Sequence, residues 1–306
     1  MISDFNKNAK IELKKGDSVD AILSKANLNW DVQQIDAFIN FEGKKTSIGR
    51  KALIRSDNGK VLTVTGPNWK PVQNRDIVKF FKDFSDETGS KLERIGQIRG
   101  GRGIWAQASI GSDFKLAGGD EVKGYVILSS FHAVGHATSV MTSATRLWCD
   151  NSLAMAFKES KDKYRQNHMA EFEFSAAREA VGFAKEEIVK FSLEAKALKQ
   201  LKMSEFETVR LFAQQFVEEE KDKLDESVKA MMENEELQPL RLKQVLHSYV
   251  KAPGASVGNG WGALNAITHW ADHVAGSDAE ARFNRATFGD NSRLKQQVKK
   301  QLLEMV

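Results

Sequence analysis

The stretch Lys51-Ala-Leu-Ile-Arg-Ser-Asp-Asn-Gly-Lys-Val-Leu-Thr-Val-Thr65 decides the fold class. Its two short apolar runs, 51–55 and 61–65, suit extended backbone, and Ser56-Asp-Asn-Gly59 lies between them. Asn-Gly accepts the positive φ angles of a tight turn, so the stretch reads as a β-hairpin. The same pattern recurs downstream. Runs at 103–110, 125–129 and 137–141 read as strands, and Arg99-Gly-Gly-Arg102 separates 92–95 from the strand carrying Trp105, which predicts a second hairpin tip. Between the hairpins, 74–84 places Ile77, Phe80, Phe81 and Phe84 at helical spacing, with Asn74 as the expected cap. Strands and an amphipathic helix across them predict an α+β core.

The pattern changes near residue 155. Glycine and proline become sparse, and long charged segments with an apolar stripe follow until Pro239. Phe183, Ile188, Phe191, Leu198 and Leu201 fit one helix. Phe206, Val209, Leu211, Phe212, Phe216 and Val217 fit a second, which Leu224 and Val228 continue, and the two helices could form an arm or hairpin. Pro253-Gly-Ala-Ser-Val-Gly-Asn-Gly260 breaks the pattern before a last helical region with Trp261, Leu264, Ile267 and Trp270. The expected organisation is therefore a β-rich core over 1–155, a long helical section over 156–250, and a C-terminal helical segment over 251–306 that packs on the core.

A chain of 306 residues that is 41% hydrophobic can bury a large core. Its single cysteine, Cys149, rules out an intrachain disulfide framework. The N-terminus lacks the basic and apolar regions of a leader, and no stretch approaches the ~20 apolar residues of a membrane span. Both features lead us to expect a cytoplasmic protein with no membrane partner. The net charge of +4 is small but unevenly spread. Residues 41–110 carry fourteen basic against seven acidic side chains, a balance of +7, and residues 205–236 carry four against eleven, a balance of −7. This division fits either ordinary solvated faces or a phosphate-binding front with an acidic rear that joins subunits.

Most catalytic constellations fail on inspection. There is no Gly-x-x-x-x-Gly-Lys-Ser/Thr loop and no Gly-x-Ser-x-Gly elbow. His269 and His273 are four apart and share a helix face, yet a structural zinc site needs four ligands. His132-Ala-Val-Gly-His136 reads as a chain reversal, and Cys149 reads as a packed thiol. No cofactor and no catalytic residue is expected. Cations, aromatics and amides interleave elsewhere: Asn68, Trp69, Lys70, Gln73, Asn74 and Arg75, then Arg99, Arg102 and Trp105, then Arg146, Trp148 and Asn151. Single-stranded nucleic acid is held by such mixtures, because cations neutralise phosphates while aromatic planes accept unstacked bases at ~1–3 kcal/mol each. Trp69 lies in Gly66-Pro-Asn-Trp-Lys-Pro71, a loop by composition, where it either stacks a base or folds back over the sheet as a lid.

Pro71-Val-Gln-Asn74, Arg146-Leu-Trp-Cys-Asp-Asn151 and Gly260-Trp-Gly-Ala-Leu-Asn265 occur in an order that resembles the phage/plasmid-like family called domain of unknown function 932. Asp272-His273, Ala281-Arg-Phe-Asn-Arg285, Phe288-Gly289 and Lys295 extend the resemblance, which runs from about residue 35 to the end. The resemblance implies a phage, plasmid or other mobile element as the setting, and no activity. The order of hairpins and helices is also similar, at the level of fold, to the β-β-α core of Rad52/Red-beta single-strand annealing proteins. Annealing needs no catalytic residue, only a basic groove repeated around an oligomer.

The expected function is accordingly non-catalytic single-stranded DNA binding and annealing or recombination support, as a homo-oligomer that also contacts a single-strand-binding protein. Lys70, Arg75, Arg99, Arg102 and Arg146 are the expected phosphate contacts, and Trp69 and Trp105 the expected stacking platforms. Two alternatives stay open. One is a protein-only assembly or host-factor-binding module acting through the acidic helices, and the other is a metal-dependent enzyme on nucleic acid using His269, His273 and a carboxylate.

Overall fold

The computed structural model describes residues 16–134, 137–146, 151–155, 165–166 and 174–306, which form an α+β protein. A short helix, α1 (Val19–Lys25), opens the described chain, with the Ser18 hydroxyl accepting the Ala21 N–H at 3.2 Å. Three antiparallel strands follow: β1 (Val32–Phe41), β2 (Lys44–Arg55) and β3 (Val61–Thr65). The β2–β3 hairpin is the one predicted, with Gly59 at φ +68° in its turn. The strand reading caught only the last five of the twelve residues of β2 and none of β1, and the reason is burial. Phe38 to Arg50 are all exposed, so no face is selected to be apolar and the two-residue alternation that reveals a half-buried strand is missing.

The helix α2 (Asn74–Thr88) buries Ile77, Val78, Phe80, Phe81 and Phe84, the face that the spacing predicted plus one valine. Asn74 does not cap it. The cap position belongs to Gln73, whose N–H donates to the Asp76 carboxylate at 3.4 Å. Asn74 is fully buried instead, and its side-chain amide donates to the carbonyls of Leu28 (3.1 Å) and Trp30 (2.8 Å), fastening the approach to β1. The Gln73 side chain pairs with both backbone groups of Val32, accepting at 2.8 Å and donating at 3.2 Å. Pro71-Val-Gln-Asn74 is therefore a clasp between α2 and the first sheet.

The second sheet is also antiparallel. It contains β4 (Lys91–Ile98), β5 (Gly103–Ser109), β6 (Phe114–Leu116), β7 (Asp120–Phe131), β8 (Thr138–Arg146), β9 (Asn151–Met155) and β10 (Arg165–Gln166), in the order β10-β8-β7-β5-β4 with β6 beside β7 and β9 beside β8. The predicted tip between β4 and β5 is present: Arg99, Gly100 and Gly101 have φ of 54°, 66° and 99°. Gly101 is required for a second reason, since a Cβ there would lie 2.8 Å from the Trp30 ring. β5 is covered on both sides, so its alternation is hidden in a continuous buried run. Ile104, Ala106 and Ala108 join the core beneath α2, while Trp105 joins a second cluster with Ile98, Phe131, Phe283 and Phe288.

Seven helices complete the described chain: α3 (Phe174–Gln200), α4 (Glu205–Phe216), α5 (Lys221–Glu233), α6 (Leu240–Lys251), α7 (Gly260–His269), α8 (Ala279–Phe288) and α9 (Asp290–Leu303). The expected second long helix is in fact two. The chain turns extended at Val217, and Glu220 starts α5, which carries Leu224 and Val228. Glu218-Glu219-Glu220 explains the break, because three acids oppose the negative end of α4 and suit the positive start of α5. Ile188, Phe191 and Leu198 of α3 are buried, Ile188 packs close enough to Gly124 of β7 that a Cβ there would meet it at 2.9 Å, and Phe191 meets Phe114 and Trp261 edge-on or tilted at about 6 Å. A single hydrophobic cluster runs from Leu28 through Phe81, Val126, Phe191 and Phe212 to Trp261 and Leu302.

Candidate nucleic-acid interface

The seven sequence-selected residues do not form one groove. Trp105 is the clearest correction: its side chain has no exposed surface and lies 4.6 Å, centroid to centroid, from Phe283 of α8, so it offers no face to a base. Trp69 is half-buried and packs on the main core, and its carbonyl accepts the Gln34 amide at 2.7 Å. The lid reading of the 66–71 loop is the one the geometry follows. Arg75 is exposed and paired with Asp20 of α1. The Arg146 side chain, and Trp148 and Cys149 entirely, lie outside the described residues, as does His136.

Two groups of cations do assemble on exposed backbone turns. At the β4–β5 tip, Arg99 and Arg102 are exposed, and the Lys60 ammonium lies against Gly100. Behind them Arg55 is 9% exposed and holds the tip in place. Its guanidinium lies 4.2 Å from the Trp30 ring, forms a two-point pair with Asp57 at 2.9 and 2.7 Å, and donates to Gln97 at 3.0 Å and the Gly100 carbonyl at 3.2 Å. Fork-on-carboxylate geometry and a ring beneath it are what arginine offers and lysine does not. The Asp57 carboxyl is correspondingly held below the usual range by the Arg55 hydrogen bonds. Glu280 of α8 accepts the Arg99 backbone N–H, and its carboxyl is pushed up by burial and by neighbouring Asp278, against the pull of Arg99 and Lys60.

At the opposite end of β3, exposed Lys70 follows Trp69, and the Arg50 guanidinium lies 3.8 Å from where a side chain on Gly66 would start. Lys51 sits opposite Thr65 in the ladder and pairs with Asp36 at 2.7 Å. Beyond this point β1 and β2 run on together as a hairpin exposed on both faces. Its register places Phe38, Asn40, Lys45 and Ser47 on one face and Ile39, Phe41, Lys44 and Thr46 on the other. The Lys45 ammonium lies 4.3 Å over the Phe38 ring, itself 47% exposed. Sequence reasoning missed this hairpin, although its basic residues were counted in the +7 region. An aromatic beside a cation in 38–45 was the available signal.

The histidine site reads as structure. The His269 and His273 rings are 5.0 Å apart, and His269 Nδ1 is 3.1 Å from the Ser248 hydroxyl. Asp272 is committed to Lys295, whose ammonium is fully buried 2.5 Å from the carboxylate. Burial, then the neighbouring His273, lowers the His269 pKa to about 4, so the ring is neutral at pH 7. Among the described residues no group of three or more His, Cys, Asp or Glu is placed to hold a metal ion. No described helix is long and apolar enough to cross a membrane.

The motif Gly260-Trp-Gly-Ala-Leu-Asn265 is likewise interior. Asn259 caps α7 by accepting the Gly262 N–H at 2.9 Å, and a Cβ on Gly262 would overlap the Ser256 carbonyl. The Trp261 indole donates to Asp120 of β7 at 2.8 Å, both side chains being buried, and Asn265 donates to the Trp261 carbonyl at 2.7 Å. These residues dock α7 on the second sheet.

Searches of curated proteins and of solved structures each gave no match. The family model described as Domain of unknown function (DUF932) matches residues 61–301, well over half of the chain, and this protein belongs to that family.

Proposed function

We propose that this protein binds single-stranded nucleic acid without catalysing a reaction, and that as an oligomer it supports annealing or recombination in a phage or other mobile element, in the host cytoplasm. The observation that carries the reading is the placement of cations around the first sheet. Lys60, Arg99 and Arg102 stand at one end of β3, Arg50 and Lys70 at the other, and Lys45 with the exposed Phe38 ring lies beyond them on the β1–β2 hairpin. Five strand residues separate the two ends, ~16 Å of an exposed edge along which an extended strand passes several phosphates. Flexible surface cations suit phosphates of any sequence, and Phe38 supplies a ring on which any base stacks. Trp105 and Arg75 have no part in this surface.

Fluorescence anisotropy of a labelled single-stranded oligonucleotide, with a duplex control, tests it. Binding that favours the single strand and weakens as salt rises is expected. Replacing Arg99 and Arg102 with alanine should reduce the slope of log affinity against log salt by about 1.4, at ~0.7 per lost phosphate contact. No binding at low salt, or an unchanged slope, would overturn this reading.

A further inference from the structure

β1 is an edge strand whose own residues do nothing to blunt it. Among the described residues it pairs with β2 alone, and Val32-Gln-Gln-Ile-Asp-Ala-Phe-Ile-Asn-Phe41 contains no lysine, arginine or proline, the residues that keep an exposed edge from pairing. β4, which ends the second sheet, carries Lys91, Glu93 and Arg94 instead. The irregularity in the hairpin falls on β2, where Ile48, Gly49 and Arg50 stand opposite Ala37, so β1 inserts no extra residue. The direction of its backbone groups follows from Val32, whose N–H and C=O are both taken by the Gln73 side chain and so point away from β2. Alternation along the strand then turns the N–H and C=O of Asp36, Phe38 and Asn40 outward. The contacts of Val32 with Gln73 and of Gln34 with Trp69 close the start of the edge and leave 35–41 open.

We propose that β1 of one copy pairs with β1 of a second copy, antiparallel across a two-fold axis centred on Phe38, joining the two three-stranded sheets into one. The chemistry along the strand selects both the occupant and the register. An axis perpendicular to the sheet keeps its faces, so odd-numbered residues meet odd-numbered ones. Centred on Phe38, Ile35 meets Phe41, Ala37 meets Ile39 and Asp36 meets Asn40. Lys51 holds Asp36 Oδ1, and Oδ2 is left for the Asn40 amide. Neighbouring registers are worse. Centred on Asp36 the pairing sets that carboxylate against itself, and centred on Ile39 it sets Asp36 against Glu42. Centred on Ala37 it sets Asp36 against Phe38 and Phe41 against Gln33. The chosen register also brings together Ile35, Ile39 and Phe41, which are 47%, 50% and 68% exposed in the single chain. On the other face it lays two Phe38–Lys45 sets side by side. The inference does not rest on nucleic-acid binding.

Sedimentation velocity of the full chain without nucleic acid, from ~1 to ~100 μM, tests it, because one short edge is a small interface and gives a weak dimer. The wild type is expected to pass from monomer to dimer and to go no further, since a two-fold contact closes. Asn40→Asp sets two like-charge pairs across the axis and should weaken the dimer about five- to tenfold, whereas Asn40→Lys gives each Asp36 a cation and should not weaken it. Phe38→Pro removes the outward N–H at the axis and should weaken it by at least about tenfold. Asn40 is exposed, so circular dichroism of its variants should match the wild type. Oxidative crosslinking reads the register separately: Ala37→Cys mixed with Ile39→Cys should give dimers linked 37 to 39 by peptide mapping, more readily than either variant alone. A wild type still monomeric at ~100 μM, equal effects of Asn40→Asp and Asn40→Lys, or a 37-to-37 link exceeding the 37-to-39 link would each overturn the proposal.

Discussion

The C-terminal interior around α7 and the β1–β2 hairpin make opposite use of their polar residues. Around α7, polar groups are buried and spent on one another: Trp261 on Asp120, Asn265 on the Trp261 carbonyl, Asp272 on Lys295. On the outer half of the hairpin, lysines, an arginine and aromatic rings face water, with Lys51 paired to Asp36 at its base and Lys45 resting on Phe38. Buried polar groups without partners are expensive, so the first arrangement fixes residue types and spacing tightly and leaves a motif in the sequence. An exposed ribbon imposes no such spacing. The lesson is that Pro71-Val-Gln-Asn74 and Gly260-Trp-Gly-Ala-Leu-Asn265 are fasteners, while the exposed ribbon carries no motif.

This contrast is sharpest at Lys295. Lys295→Met should destabilise the fold by about 3–5 kcal/mol, because it leaves the Asp272 carboxylate buried beside an apolar chain. Chemical denaturation measures the loss, and adding Asp272→Leu should recover most of it. A small effect from the single replacement would mean that the motif residues do not hold the interior. Asn74→Ala is the next test in size. Two buried carbonyls, those of Leu28 and Trp30, would lose their shared donor, with a cost of about 2 kcal/mol in the same assay. If Asn74 acted only as a helix cap, replacement with aspartate or serine would rescue it; on the clasp reading neither does.

A smaller effect is expected in the pH dependence. The folded His269 titrates near 4 and an unfolded histidine near 6.5, so between these values the unfolded chain binds more protons. The contribution of neutral His269 to stability is complete above pH 6.5 and is lost as pH falls toward 4. Urea midpoints at pH 7, 6 and 5 should decline, and His269→Gln should flatten that decline. At the other extreme, Phe38→Ala on the hairpin should change stability by less than about 0.5 kcal/mol while weakening nucleic-acid binding.

What could be read from the sequence follows the same division. The β2–β3 and β4–β5 hairpins were legible because Asn58-Gly59 and Arg99-Gly-Gly-Arg102 demand positive φ, and the buried face of α2 was legible because a helix on a sheet repeats every three to four residues. β1 was illegible because almost nothing on it is buried. The α4–α5 break escaped because apolar periodicity continues across Glu218-Glu219-Glu220. Of the candidate site, Arg99, Arg102 and Lys70 are exposed cations as expected, whereas Trp105 was misassigned because a tryptophan between arginines looks the same in sequence whether it faces a base or Phe283. Only the placement of α8 over β5 separates the two, and 177 residues of chain lie between Trp105 and Phe283.

The most direct test of the account compares oligonucleotide binding by the wild type with that of a variant carrying Lys45→Ala, Lys70→Ala, Arg99→Ala and Arg102→Ala, after confirming equal melting temperatures. The account predicts that the variant folds normally and loses most of its salt-sensitive affinity for single strands, since four cations on turns and ribbon are removed and no buried fastener is touched. Unchanged affinity in a normally folded variant would contradict it and place any binding surface elsewhere on the molecule.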